Sequence, residues 1–342
     1  GKISAFIVEA AWPGVSRGHH EDKMGIRGSS TTTVTFADVR VPAENLLGEE
    51  GKGFKAAMAI LNSGRTGLGG GAVGGMKTLI ALATKQATER KQFGRPIAEF
   101  GLVREKIAQM TVDCFAAEST VWMIAHYIDS ECDDYSVEAA IGKVFAGEAV
   151  NRAAWEALQI AGGNGYMREY PYEQAARDAR ILPIFEGANE VMRLFIGLSG
   201  LKHAGSQLSE VKSAVDDIFS NPIKGFGVLG SYAQRRIARA TGLRGDKAPF
   251  NCPAELKESL AIYQKYASAL ATASEQLLRQ HRKAVIERQA DLKRVADVAI
   301  DLFVGLCTLS RAISLGADTK GDAAQGREIA RVFAQQAKRR MA

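Results

Sequence analysis

From about Gly53 onward the chain keeps a helical period over long runs, and nothing else in it restricts the fold as tightly. Apolar residues recur at helical spacing over roughly 52–85, 98–131, 136–162 and 187–203, with short joins between the runs. Long helices joined by short connections pack as a bundle. Gly162-Gly-Asn-Gly165 breaks the third run. Residues before about 50 read differently. Thr31-Thr-Thr-Val-Thr-Phe36 is β-branched and aromatic, bounded by Gly28-Ser-Ser30 and Pro42, as a strand would be. Gly1-Lys-Ile-Ser-Ala-Phe-Ile-Val-Glu9 alternates like another strand. Past about 205 the composition shifts to a Gly-rich, then basic stretch, and helical periods resume at roughly 254–288, 291–316 and 322–340. The fold class expected is mainly α.

Composition excludes several classes. With 46% apolar and 24% charged residues the chain reads as soluble and globular. A net charge of +6 is too modest to argue for nucleic acid and suits anionic ligands or an anionic surface. Cys114, Cys132, Cys252 and Cys307 lie far apart and form no CxxC, as expected of reduced thiols in an intracellular compartment. His19-His20-Glu21-Asp22 offers possible metal ligands but reads as a solvated loop, and no metal site is expected. No apolar run reaches the ~18 residues of a membrane-spanning helix. Gly69-Gly-Gly-Ala-Val-Gly74 satisfies GxGxxG, yet the Lys55–Leu61 run before it is helical, so a dinucleotide fold is rejected.

The chemistry concentrates in Arg180-Ile-Leu-Pro-Ile-Phe-Glu-Gly-Ala-Asn-Glu-Val-Met-Arg193. Glu186 stands between an apolar block and Gly187, just before a helical pattern. A carboxylate among apolar side chains resists ionisation, which suits a general base acting on a carbon acid. The same residue could instead cap the following helix. The segment resembles the catalytic-base signature of the acyl-CoA dehydrogenases. Glu89-Arg-Lys-Gln-Phe-Gly-Arg-Pro-Ile97 resembles that family's flavin-diphosphate segment. Gln159-Ile-Ala-Gly-Gly-Asn-Gly-Tyr166, with Pro171 and Arg177-Asp178-Ala179, resembles its third signature. The three stand in the family's order within about residues 1–205, and the remainder resembles the extra C-terminal region of the very-long-chain members.

The resemblance implies three parts: 1–50 as the end of the middle β-domain, 51–205 as the helical dehydrogenase domain, and 206–342 as an extra helical domain. Against the family's pattern, the N-terminal helical domain and the first half of the β-domain are missing, so a fragment is expected. The implied activity is FAD-dependent α,β-dehydrogenation of long- or very-long-chain acyl-CoA to trans-2-enoyl-CoA in fatty-acid β-oxidation. Glu186 would be the base, with hydride passing to flavin N5. Its backbone N–H would be one donor to the thioester oxygen, and Phe185 and Gly187 would flank the substrate.

Further site residues follow from the same resemblance. Arg90, Lys91, Gln92 and Phe93, followed by Phe100 and Gly101, would contact the flavin of a neighbouring subunit in a homodimer. A guanidinium fork suits a diphosphate, although Glu89-Arg-Lys would also be ordinary at a solvated helix end. Gln159, Gly162 and Gly163 would let backbone approach the cofactor, or simply end a helix. Ala188 and Glu190 occupy flavin-contact positions, and Ala188 departs from a common family Thr, which removes a hydroxyl. Asn62 and Arg65 match substrate-side positions, with a structural ion pair as the other reading of Arg65. Electron-transferring flavoprotein would reoxidise the flavin. Phe226, Val228 and Leu229 beside Arg235, Arg236, Arg239 and Arg244 make 222–244 either a peripheral membrane contact or a solvated linker. The implied location is a bacterial cytoplasm or a mitochondrial matrix, at the inner membrane if that contact forms. Relatives that act as respiratory-complex assembly scaffolds, and acyl-CoA oxidases, share the pattern and stand as rival functions.

Overall fold

A computed structural model describes residues 2–216, 252–316 and 321–342. The 222–244 stretch lies outside the described residues. The described chain is mainly helical. The long helices are α1 (Gly53–Glu89), α2 (Gly101–Asp129), α3 (Ser136–Ala161), α5 (Asn189–Asp216), α6 (Lys257–His281), α7 (Gln289–Ser314) and α8 (Gly321–Met341), and a short α4 spans Pro171–Ala179. Contacts divide the chain into two compact units. One holds Gly1–Ala117 and Ile124–Ala188, the other Glu118–Met123 and Asn189–Ala342.

In the first unit, α1 buries Arg65, Gly69, Ala72, Val73, Met76, Leu79, Ala83 and Ala87. Those steps of three and four residues make one face, and α3 is its principal neighbour. α3 has the opposite character. From Ala139 to Val150 nearly every residue is buried, Lys143 among them. A helix apolar on all sides belongs in the centre of its layer. The Gly69–Gly74 glycines lie inside α1, with no strand leading into them.

α4 is an element that periodicity did not suggest. It starts at Pro171, where a missing N–H costs nothing. Its Arg177 pairs with Glu173 at 2.7 Å and donates to the Met24 carbonyl at 2.7 Å. The Ile26 N–H donates to Asp178 Oδ1 at 2.5 Å. A Cβ on Gly25 would stand 2.5 Å from the Arg177 carbonyl oxygen, so only glycine fits where this loop crosses α4.

The β region is sparser than its alternation suggested. The Gly1–Glu9 pattern yields only β1 (Ala5–Phe6), paired antiparallel with β4 (Leu46–Leu47). A strand with one short partner extends no further than that partner reaches. β3 (Thr32–Phe36) pairs with β2 (Val15–His20). His19 and His20, expected in a loop, therefore end a strand, and Ser30 Oγ lies 2.9 Å from His20 Nδ1. No cluster able to hold a metal ion occurs among the described residues.

In the second unit Leu201, Val285 and Leu292 form a core, with Leu194, Leu198, Leu277 and Leu278 packed around it. The expected 254–288 helix is divided. A 3-10 turn (Ala254–Leu256) leads into α6, and Arg282, at φ +49°, turns the chain into a second 3-10 segment (Arg282–Glu287). No described helix is long and apolar enough to cross a membrane.

Candidate active site

The site is a turn between α4 and α5, held by two helices of the first unit. After α4 the chain closes a tight turn in which the Phe185 N–H donates to the Ile181 carbonyl at 3.1 Å. Glu186 then takes φ +56° and Gly187 φ +94°. Glycine adopts that region readily, whereas a glutamate there costs roughly 1–2 kcal/mol. Such strain persists only where surrounding contacts over-determine it.

Those contacts are present. Arg65, on α1 and only 3% exposed, donates from Nε to the Glu186 carbonyl at 3.1 Å. Its Nη1 donates to Asn62 Oδ1 at 2.9 Å, one helical turn away. Burial lowers the Arg65 pKa from the usual arginine value, and the Glu186 charge opposes that shift. Lys143 Nζ, from α3, donates to the Gly187 carbonyl at 2.7 Å. Two basic side chains thus hold two consecutive carbonyls.

The Glu186 side chain lies against α1 at Gly64. A Cβ there would stand 3.3 Å from Oε2 and 3.7 Å from Cδ. Oε2 is buried and has no hydrogen-bond partner among the described residues. A buried acceptor left unsatisfied is costly and calls for a reason. The capping alternative does not hold, because the carboxylate accepts no hydrogen bond from any described residue. The Glu186 N–H likewise has no acceptor among the described residues.

Beside the turn, Phe185 lines a cavity of about 470 Å³ that runs along α1 past Leu68, Gly71, Gly75 and Leu79 to Leu182. Thr78 and Asp178 are its only polar linings; the rest is apolar or glycine.

The other expected residues sit apart from this turn. Arg90 ends α1, and Lys91-Gln92 (β5) pairs with Arg95-Pro96 (β6) in a two-stranded hairpin. Its tip is Phe93, at φ +51° and 92% exposed. Phe93 meets the Phe100 ring edge-on at 6.1 Å, and Arg95 stacks over that ring at 4.3 Å. Gly101 opens α2. Gln159 is exposed in the last turn of α3, whose Ile160 and Ala161 are buried and whose cap Gly162 has φ +63°. Neither Gly162 nor Gly163 has a neighbour within 4 Å of a Cβ position, so backbone stands open there. Ala188 follows Gly187, and the exposed Glu190 lies in the first turn of α5.

Lys143 and Gly64 escaped the sequence reading. Lys143 carried a signal: in the run Ala139–Val150 it and Glu148 are the two charged residues among apolar ones and glycine. Gly64 carried none, since glycines recur along α1 from Gly64 to Gly75.

The chain is similar to known proteins over most of its length. Residues 51–201 match the family model "Acyl-CoA dehydrogenase, C-terminal domain", and 254–342 match "ACAD9/ACADV, C-terminal domain". The human protein named "Very long-chain specific acyl-CoA dehydrogenase, mitochondrial" is 42% identical over 313 residues, 91% of this chain and 47% of its own length. The short-chain specific acyl-CoA dehydrogenase of Megasphaera elsdenii is 44% identical over 195 residues, 57% of this chain and 51% of its own. Among solved structures, an acyl-CoA dehydrogenase complexed with FAD from Bacillus anthracis aligns with a TM-score of 0.82 at 30% identity, over 99% of this chain and 57% of that one. The chain spans about half the length of the curated relatives it matches. With a positive-φ glutamate turn seated on two helices and both matched domains in order, the chain belongs to the acyl-CoA dehydrogenase family and is similar to its very-long-chain members.

Proposed function

We propose that the protein of which this chain is part oxidises long- or very-long-chain acyl-CoA to trans-2-enoyl-CoA in fatty-acid β-oxidation, with Glu186 as general base. One observation carries the reading: Glu186 Oε2 is buried and unpartnered on a turn whose strained backbone is held from two helices. An acceptor with no hydrogen to accept among the described residues is placed to take one from a ligand.

A proton next to a thioester is too weakly acidic for a carboxylate to remove unaided. The thioester oxygen must be polarised by donors fixed in advance. The Glu186 N–H, which has no acceptor among the described residues, is one such donor. The same residue then both withdraws the proton and steadies the charge left behind. Phe185 and the cavity along α1 provide apolar surface for an acyl chain, and Asn62, Arg65 and Gly187 complete the substrate side.

FAD is the proposed cofactor, supported by the family and by the FAD complex of the Bacillus anthracis relative. When bound, it supplies the acceptor for the hydride leaving the β-carbon. The open backbone at Gly162 and Gly163 and the exposed cations of the Arg90 hairpin fit an extended diphosphate ligand. We assign Arg90, Lys91, Gln92, Phe93, Phe100, Gly101, Gln159, Gly162, Gly163, Ala188 and Glu190 to its binding. The Arg90 hairpin, projecting from its unit, would serve a partner subunit in a homodimer. Electron-transferring flavoprotein is the proposed electron acceptor. The division into 1–50, 51–205 and 206–342, a membrane contact through 222–244, and a mitochondrial or bacterial cytoplasmic location belong to the same proposal. The mitochondrial relatives support the first of those locations.

The test is anaerobic reduction of the flavin in the complete protein. Long-chain acyl-CoA should bleach its absorbance, and Glu186→Gln should keep fold and flavin yet abolish bleaching. Full flavin occupancy without bleaching at any chain length would favour an assembly scaffold. Stoichiometric peroxide on turnover would favour an oxidase.

A further inference from the structure

We propose that Lys143 is a positioning residue for the base, acting through the carbonyl of Gly187; this rests on Glu186 being that base. Lys143 is 0% exposed, within the buried stretch Ala139–Val150 of α3, where Glu148 is the other charged residue. Burying an ammonium is costly, and side chains of this type are almost never fully buried unless they serve a partner. Here one partner is the backbone of the turn itself, at 2.7 Å, in a charge-assisted hydrogen bond.

The consequence follows from peptide geometry. Each peptide unit is planar, so holding a carbonyl sets the whole plane. Arg65 sets the plane between Glu186 and Gly187. Lys143 sets the plane between Gly187 and Ala188. Together they define both backbone torsions of Gly187, selecting φ +94° from the several regions a free glycine visits about equally. Without Lys143, Gly187 regains its freedom, and the strained Glu186 can relax toward a commoner backbone region. That relaxation would swing the carboxylate off Gly64 and turn its N–H away from the thioester oxygen. Lys143 touches neither substrate nor reacting atoms in this account; it keeps base and donor aligned.

The experiment uses the complete FAD-loaded protein, reduced beforehand and kept anaerobic so that no oxidation occurs. Exchange of the α-protons of a saturated long-chain acyl-CoA is followed in D2O by mass spectrometry, and affinity for the same acyl-CoA is titrated in parallel. Lys143→Met should slow exchange on the order of ten- to a hundred-fold, the scale expected for a misplacement near 1 Å, while affinity is largely retained. A lysine that only supported the fold would not separate the two readouts. If Lys143→Met does not fold, Lys143→Gln carries the same test. Exchange at the unaltered rate in either folded variant overturns the inference. Exchange that survives in Glu186→Gln would instead remove the base assignment, and this inference with it.

Discussion

A Cβ on Gly64 would stand 3.3 Å from Glu186 Oε2, tighter than carbon and oxygen usually approach. Gly64 is in the body of α1, where alanine is favoured over glycine by about 1 kcal/mol. Helix propensity and the proposed chemistry therefore pull in opposite directions at this position. Gly64→Ala should leave thermal stability unchanged or raised, yet slow flavin reduction by roughly ten-fold or more as the carboxylate is displaced. Stopped-flow bleaching and calorimetry on one preparation check both halves. An unaltered reduction rate would mean that the carboxylate is not held where the reaction needs it.

The Arg90 hairpin exposes the side chains of Arg90, Lys91, Gln92, Phe93 and Arg95. Arg90→Ala should accordingly leave the fold intact. The flavin-to-protein ratio after gel filtration should fall, because a diphosphate loses a charge-assisted donor. Full retention of flavin would free Arg90 from the cofactor site.

Glu173 and Arg177 give a pH dependence with a definite sign. The Arg177 hydrogen bond holds the Glu173 carboxyl below its ordinary value of 4.5. A lowered carboxylate pKa contributes stability that is present above the unfolded value and lost as pH falls through the folded one. Glu173→Gln should thus lower Tm at pH 7, and the difference from the parent should close as pH drops below about 4.5. A gap that stays constant into acid would show that the pair contributes nothing through its charge.

In the second unit a Cβ on Gly305 would lie 2.4 Å from the Tyr263 ring, whose hydroxyl is buried without a partner among the described residues. Gly305→Ala must push the ring aside and should cost about 1–3 kcal/mol. Tyr263→Phe removes the unsatisfied oxygen and should be neutral or stabilising by up to about 1–3 kcal/mol. Urea denaturation measures both. Marked destabilisation by Tyr263→Phe would reveal a partner for the hydroxyl.

Much of the helical plan was legible beforehand because apolar spacing reports burial directly. The run expected at 136–162 is α3, Ser136–Ala161, and that expected at 322–340 is α8, Gly321–Met341. α4 was not legible. It is nine residues long, too short for a period to stand out, and its Arg177 and Asp178 work through contacts with Met24 and Ile26, some 150 residues earlier. The two-residue β1 was over-read for the converse reason. Alternation marks where a strand can form, but pairing decides how far it runs.

The order of the three family signatures, the helical runs at about 52–85, 98–131, 136–162 and 187–203, and the choice of Glu186 as the acid to examine came from the sequence alone, since residue type and spacing are local properties. Tertiary structure alone decided the backbone of that acid, the glycine against which it lies, and the burial of Lys143 beneath the turn. Each of these depends on residues from α1, α3 and the turn meeting in space, 121 residues apart in the case of Arg65 and Glu186. No local pattern encodes such a meeting, because it is set by how helices pack, and packing is a property of the whole unit.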